Sequence, residues 1–130
     1  MAESALGSLL RNLREERGLT LRELAQLAEV DHAYVFRLET GAKEAPSEEV
    51  LAKLIRALKA PRREAEMLRY LASHTSTDAG LVAYVRQDQT VTFVEFTAAA
   101  GMAFRGAGRP DYATRIERVR RFLREDEGHG

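Results

Sequence analysis

Residues 20–41, TLRELAQLAEVDHAYVFRLETG, constrain this chain more than any other stretch. Thr20 followed by Glu23 is a capping box, in which each side chain satisfies an orphan backbone N–H at the start of a helix. The helix it predicts carries Leu24, Ala25 and Ala28 on one face. Asp31 is a good N-cap for a second short helix, which carries Val35 and Leu38 inward and stops at Gly41. Ala25 puts a small side chain where the two helices must cross closely.

The flanking segments are also helical in pattern. Leu6, Leu9, Leu10 and Leu13 recur at helical spacing between Ser4 and Arg17, and Gly18 suits the left-handed residue after a helix end. Beyond a loop at 42–46, Ser47 caps a fourth helix with Val50, Leu51, Leu54, Ile55 and Leu58 as its apolar stripe. Pro61 suits the first turn of a fifth, which carries Ala65, Leu68 and Leu71. Residues 74–78 read as a linker, with Thr77 or Asp78 capping a short helix at 79–88 that bears Leu81, Val82 and Val85. Residues 90–104 are open between two readings. Val91 to Phe96 favour a strand, with Gln87-Asp88-Gln89 as a hairpin loop. Thr92-x-x-Glu95 and Ala98-Ala99-Ala100 favour a helix, which would be apolar almost all round and therefore central. Gly106, Gly108 and Pro110 then break the chain. Asp111 caps a last helix with Tyr112, Ile116, Val119, Phe122 and Leu123 on one side. Arg115, Glu117, Arg118, Arg120, Arg121 and Arg124 are on the other, read as a solvated or dimer-flanking basic face. Residues 125–130 are expected to fray.

With 130 residues the chain is one domain or two very small ones. A half of about 60 residues is only marginally able to bury its own core. There is no Cys, which excludes disulfides and thiolate metal sites. The formal charge is zero, and residues 1–60 hold nine Lys or Arg against ten Asp or Glu. A bulk positive field toward nucleic acid is therefore absent, and any such contact must come from a local arrangement. No apolar run reaches bilayer length and residues 1–17 lack a signal-peptide pattern, so a cytoplasmic protein without membrane contact is expected. His32, His74 and His129 are scattered, and there is no HExxH, GxSxG or nucleophilic Cys. GMAFRGAG lacks the Lys-Ser/Thr ending of a P-loop. His129 beside Asp126 and Glu127 reads as a tail, not a metal site. No enzymatic activity, metal or cofactor is expected.

Through LREERGLTLRELAQLA, a three-residue turn and YVFRLETG, residues 5–60 resemble the lambda-repressor-like (Cro/XRE) family of five-helix DNA-binding domains. In such helix-turn-helix domains the second helix of the motif enters the major groove. The resemblance implies a buried ion pair between Arg14 and Glu39 that fastens the first helix to the recognition helix. It also implies that His32, Ala33, Tyr34, Phe36 and Arg37 face DNA, with Arg37 able to hold guanine O6 and N7 through two donors. Of Tyr34 and Phe36, one is expected to pack under the loop. Thr20 with the free N–H groups of its helix, Arg22 and Lys43 would meet phosphates. Three positions depart from the family pattern: Glu29 where a turn glycine is usual, Leu21 where Gln is frequent, and Lys43 followed by Glu44 and Ala45 in a loop that is commonly basic.

Residues 78–124, with GLVAYVRQDQT and FTAAAGMAFRGAGRP, are similar to the C-terminal half of DdrO-type and ImmR-like repressors. This similarity tips 90–104 toward helix. It implies a helical dimerisation domain and cleavage by an ImmA/IrrE-like metallopeptidase at the Phe104–Arg105 bond. The resulting expectation is an all-α protein with a helix-turn-helix domain at 1–73 and a helical dimerisation and regulatory domain at 79–126. Its function would be that of a homodimeric repressor on a near-palindromic operator of double-stranded DNA. The alternative is an antitoxin that neutralises a cognate toxin and represses its own operon.

Overall fold

The structure, a computed structural model, describes residues 4–42, 45–102 and 110–128, with side chains to Glu125. Lys43, Phe104 and Arg105 lie outside the described residues, as do Gly106, Gly108 and His129. Among the described residues every regular element is a helix: α1 (Ala5–Glu16), α2 (Leu21–Ala28), α3 (His32–Thr40), α4 (Glu48–Leu58), α5 (Arg62–Ser73), α6 (Ala79–Gln87), α7 (Phe93–Ala100) and α8 (Tyr112–Gly128). The chain divides into two compact units, Met1–Gly80 and Leu81–Gly130.

In the first unit the helix boundaries follow local chemistry. Ser4 caps α1, its hydroxyl accepting from the Gly7 N–H at 2.9 Å. The other end of α1 closes at Gly18, in the left-handed region at φ 68°, with the Leu19 N–H donating back to the Arg14 carbonyl. Ser47 caps α4 through the Val50 N–H. Pro61 stands at the N-cap of α5, one residue ahead of the first turn in which the sequence suggested it. Helix α1 packs on α3 and α5, and α2 on α3 and α4, around Leu9, Leu10, Leu24, Val35, Leu38, Leu54 and Leu68, all fully buried. Met67 and Glu64 of α5 are buried as well, where sequence periodicity pointed only to Ala65, Leu68 and Leu71.

In the second unit α7 packs on α8. Helix, not strand, forms at residues 93–100, because the Thr92–Glu95 capping box closes in both directions at 3.0 and 3.1 Å. Residues 88–91 form a turn held by Asp88 Oδ1, which accepts from the Thr90 N–H. Several sequence expectations need correction here. Helix α7 is not buried all round: Phe96 and Ala99 are covered, while Val94 is 59% exposed. Phe122 is 66% exposed, although its spacing puts it on the apolar side of α8 with Ile116 and Val119. Arg115 is buried, not part of a solvated basic face, and its guanidinium lies 5.4 Å from the Tyr112 ring centre one turn back. Arg120 also turns inward, donating to Glu95 Oε2 at 3.1 Å and to Thr90. Helix α8 extends to Gly128.

Candidate nucleic-acid interface

The site is built on α2 and α3. Thr20 is the N-cap of α2, with its Oγ1 accepting from the Glu23 N–H at 3.1 Å and its own N–H donating to Glu23 Oε1 at 2.9 Å. That backbone donation, reinforced by the Thr20 side chain, holds the Glu23 carboxyl below the usual carboxylate range. Helix α2 ends at Glu29, which takes φ 58° and ψ 45°. Its N–H reaches the Gln26 carbonyl and the Val30 N–H reaches the Ala25 carbonyl. The left-handed turn that glycine usually supplies is thus formed by a side-chain-bearing residue. Asp31 then caps α3, its Oδ1 accepting from the Ala33 N–H at 3.1 Å.

Helix α3 buries Val35, Leu38 and Glu39. His32, Phe36 and Arg37 are exposed, and Ala33 and Tyr34 are half-buried. Of the two aromatic residues, Phe36 is the one left 53% exposed. Thr20 and Arg22 are exposed at the start of α2. A shallow groove of about 280 Å³ brings Arg22 and His32 together with Ala25, Gln26, Glu29, Val30 and Asp31. Gln26 was not singled out from the sequence. The available signal was its spacing, four residues after Arg22 and therefore on the same face. Arg37 follows Ala33 by the same spacing on α3 but does not line that groove.

Two features hold α3 from behind. Arg14 of α1 donates through Nε to Glu39 Oε2 at 2.7 Å and through Nη2 to Oε1 at 2.9 Å, a bidentate pair. Its third donor, Nη1, reaches the Leu19 carbonyl at 2.8 Å. The Arg14 and Glu39 side chains are only 13% and 5% exposed. Beside them, Gly7 lies so close to α3 that a Cβ there would meet the Leu38 carbonyl oxygen at 2.4 Å and that of Glu39 at 2.6 Å. Only glycine permits this approach, a contact between elements that leaves no local pattern in the sequence.

The arrangement offers two kinds of contact. At the N-terminus of α2 the capping box takes the N–H groups of Thr20 and Glu23, which leaves those of Leu21 and Arg22, with the Thr20 hydroxyl, as the groups suited to a phosphate. The exposed face of α3 presents a guanidinium, an imidazole and small or aromatic apolar groups, which can read base edges. Among the described residues no helix is long and apolar enough to cross a membrane.

Residues 5–68 match the protein-family model described as a helix-turn-helix domain. The HTH-type transcriptional repressor RghR of Bacillus subtilis is 42% identical over 57 residues, 44% of this chain and 42% of that protein. The transcriptional regulator ClgR of Mycobacterium tuberculosis is 38% identical over 61 residues, 47% of this chain and 54% of that protein. The chain thus spans about half the length of the curated relatives it matches. The crystal structure of the clp gene regulator ClgR from C. glutamicum is similar at 39% identity, covering 55% of this chain and 88% of that one, with a TM-score of 0.44.

Proposed function

We propose, from the premise that the chain carries an XRE-like helix-turn-helix domain over residues 5–68, that it is a sequence-specific transcriptional repressor. The observation that carries this reading is the pairing of an exposed α3 face with a fixed seat. Arg37 is exposed to meet bases, with His32 exposed at the start of the helix, while Glu39, roughly 160° round the helix from Arg37, is clamped to Arg14. Arg37 reads guanine; Thr20 and Arg22 hold phosphates; His32, Ala33 and Tyr34 line the base edges. Lys43 adds a phosphate contact from the loop after α3. With a formal charge of zero, the affinity for random DNA is weak and the operator contacts carry the selectivity.

The repressor acts as a homodimer, reading half-sites about one helical turn apart. What supports a dimer made by the second unit is the pair of large apolar side chains left uncovered there, Val94 and Phe122. Cleavage of the Phe104–Arg105 bond by an ImmA/IrrE-like peptidase is the proposed release. The bond lies in sequence between α7 and α8, so cutting it frees α8 and strips Ile116 and Val119 of their cover.

The test is footprinting of the chain on DNA upstream of its own coding region. A protected near-palindrome is expected, with Arg37→Ala costing about 1–3 kcal/mol on that site. Equal affinity for operator and random duplex would overturn the reading. Co-expression with the nearest peptidase of this type should yield a product ending at Phe104. An intact chain under derepressing conditions would point to an antitoxin instead.

A further inference from the structure

On the first unit, sharing Glu29 with the Arg22–His32 groove, lies a second groove of about 410 Å³ lined by Arg17, Leu27, Ala28, Glu29, Lys53, Arg56, Ala57 and Lys59. We infer that it is a docking site for an acidic protein segment bearing one aliphatic anchor residue, seated so that the DNA-binding face stays open.

The charge distribution is the first argument. Residues 1–60 carry a small net negative charge, yet four of their nine cations gather in this groove, with Glu29 the single acidic residue lining it. Arg17 is tied down by donating to the Ala57 carbonyl at 3.3 Å, and Lys53 reaches Glu49 only at 3.9 Å. Among the described residues Arg56 and Lys59 have no ion-pair partner.

The floor is the second. Leu27 is 57% exposed beside Ala28 and Ala57, an apolar strip inside a cationic rim. A phosphodiester gains nothing from such a strip, whereas an acidic segment with one apolar side chain fills both parts. At 100° per residue Leu27 stands roughly 140° round α2 from Arg22, on the flank that does not face α3's start. A segment seated there leaves Arg22 and His32 open to DNA.

The backbone is the third. Two non-glycine residues among those described have positive φ, Glu29 at 58° and Lys59 at 49°, and both line this groove. Glycine would close either helix end with less strain. Side chains stand at both positions, and Lys59 lines the groove.

The probe is a short fluorescein-labelled peptide of Glu and Asp around one central leucine, titrated into the full chain at low salt. It should bind. Lys53→Gln with Arg56→Gln, and separately Leu27→Ser, should each weaken it about fivefold, the scale of one or two exposed ion pairs or one apolar contact. Amide chemical shifts should move at Leu27, Ala57 and Lys59. Operator affinity of both variants should stay within about twofold of the parent, whereas Arg37→Ala lowers it without touching peptide binding. Absence of peptide binding, or equal binding by all variants, would overturn the inference. So would loss of operator affinity in the Lys53/Arg56 variant with peptide binding intact, which would make the groove a DNA contact. Circular dichroism of each variant separates these results from misfolding, and Leu27→Ser, on an exposed position, keeps the test valid if the double variant does not fold.

Discussion

Gly7 decides how closely α1 can approach the recognition helix. A Cβ at this position would overlap two backbone carbonyl oxygens of α3, and backbone cannot swing aside as a side chain can. We expect Gly7→Ala to lower stability by about 1–3 kcal/mol, the usual scale of overpacking, measured as a lower denaturant midpoint at unchanged slope. Operator affinity should fall with it, because α3 has to move. An unchanged midpoint would mean that α1 slides freely on α3. Arg14 argues the same seat from its electrostatic side. Arg14→Met leaves the Glu39 carboxylate buried without its two donors and should cost about 3–5 kcal/mol. Adding Glu39→Leu should recover much of that loss, since the unpaired charge, more than the missing attraction, is what destabilises. A double variant as unstable as the single one would refute this account. These residues also mark what the sequence could convey. Arg14 and Glu39 were accessible through family resemblance, because their roles depend on fixed positions in a known pattern. Gly7 was not, because a close approach between backbones is a property of two elements. Arg115 differs for a related reason: spacing assigns it to the polar face of α8, yet it is buried, with the Tyr112 ring 5.4 Å away.

At the level of elements, the helix starts were legible because they are made by side chains close in sequence. Thr20 with Glu23, Asp31, Ser47, and Thr92 with Glu95 all cap as their residue types require. The capping box also resolves the ambiguity at 90–97. β-Branched and aromatic residues raise strand propensity only where a pleated neighbour exists, whereas the cap satisfies its N–H groups locally. What remained hidden was the reach of each buried face, as Val94 and Phe122 show, since that depends on which neighbour covers it. Glu29 gives a prediction at this scale. Its left-handed backbone suits glycine, so Glu29→Gly should be neutral to stabilising by up to about 1 kcal/mol, read as a higher melting temperature. A clear loss would show that the Glu29 side chain makes a contact worth more than the strain. The caps also set a pH dependence. Glu23, held by Thr20, and Asp111, held by the Thr114 side chain and N–H, both have lowered carboxyl pKa values. A carboxyl whose folded pKa is depressed contributes stability above its unfolded pKa and loses it as pH falls through the folded value. Acid titration should therefore destabilise the chain below the ordinary carboxylate range, and Glu23→Gln should flatten that slope while lowering stability at neutral pH.

For the whole molecule, the division into Met1–Gly80 and Leu81–Gly130 separates the surface proposed to read DNA from the surface proposed to make the dimer. The first unit holds an internal core in Leu9, Leu10, Leu24, Leu38, Leu54 and Leu68, all fully covered, and five helices packed on one another. The second is smaller and leaves Val94 and Phe122 in solvent, as the first leaves Leu27 and Phe36, so exposure alone does not separate the two. Size alone makes the smaller unit the one in need of a partner copy, because a short segment covers a lower fraction of its apolar surface. A chain ending at Gly80 should then fold cooperatively and sediment as a monomer. Its operator affinity should fall steeply while its contact with a single half-site persists. Linking two readers raises the effective concentration of the second at its half-site to the order of millimolar, a gain of about 10²–10⁴ that no residue in the interface with DNA supplies. Removing the second unit should forfeit that factor and leave the specificity profile across base positions intact. Sedimentation and footprinting on one and two half-sites distinguish the cases. If the shortened chain remains a tight dimer, helices α1–α5 hold the interface and the uncovered Phe122 must serve a different partner. If instead it is monomeric yet binds the full site as strongly as the intact chain, the half-sites are not coupled through the protein, and cleavage between α7 and α8 could not act as a release.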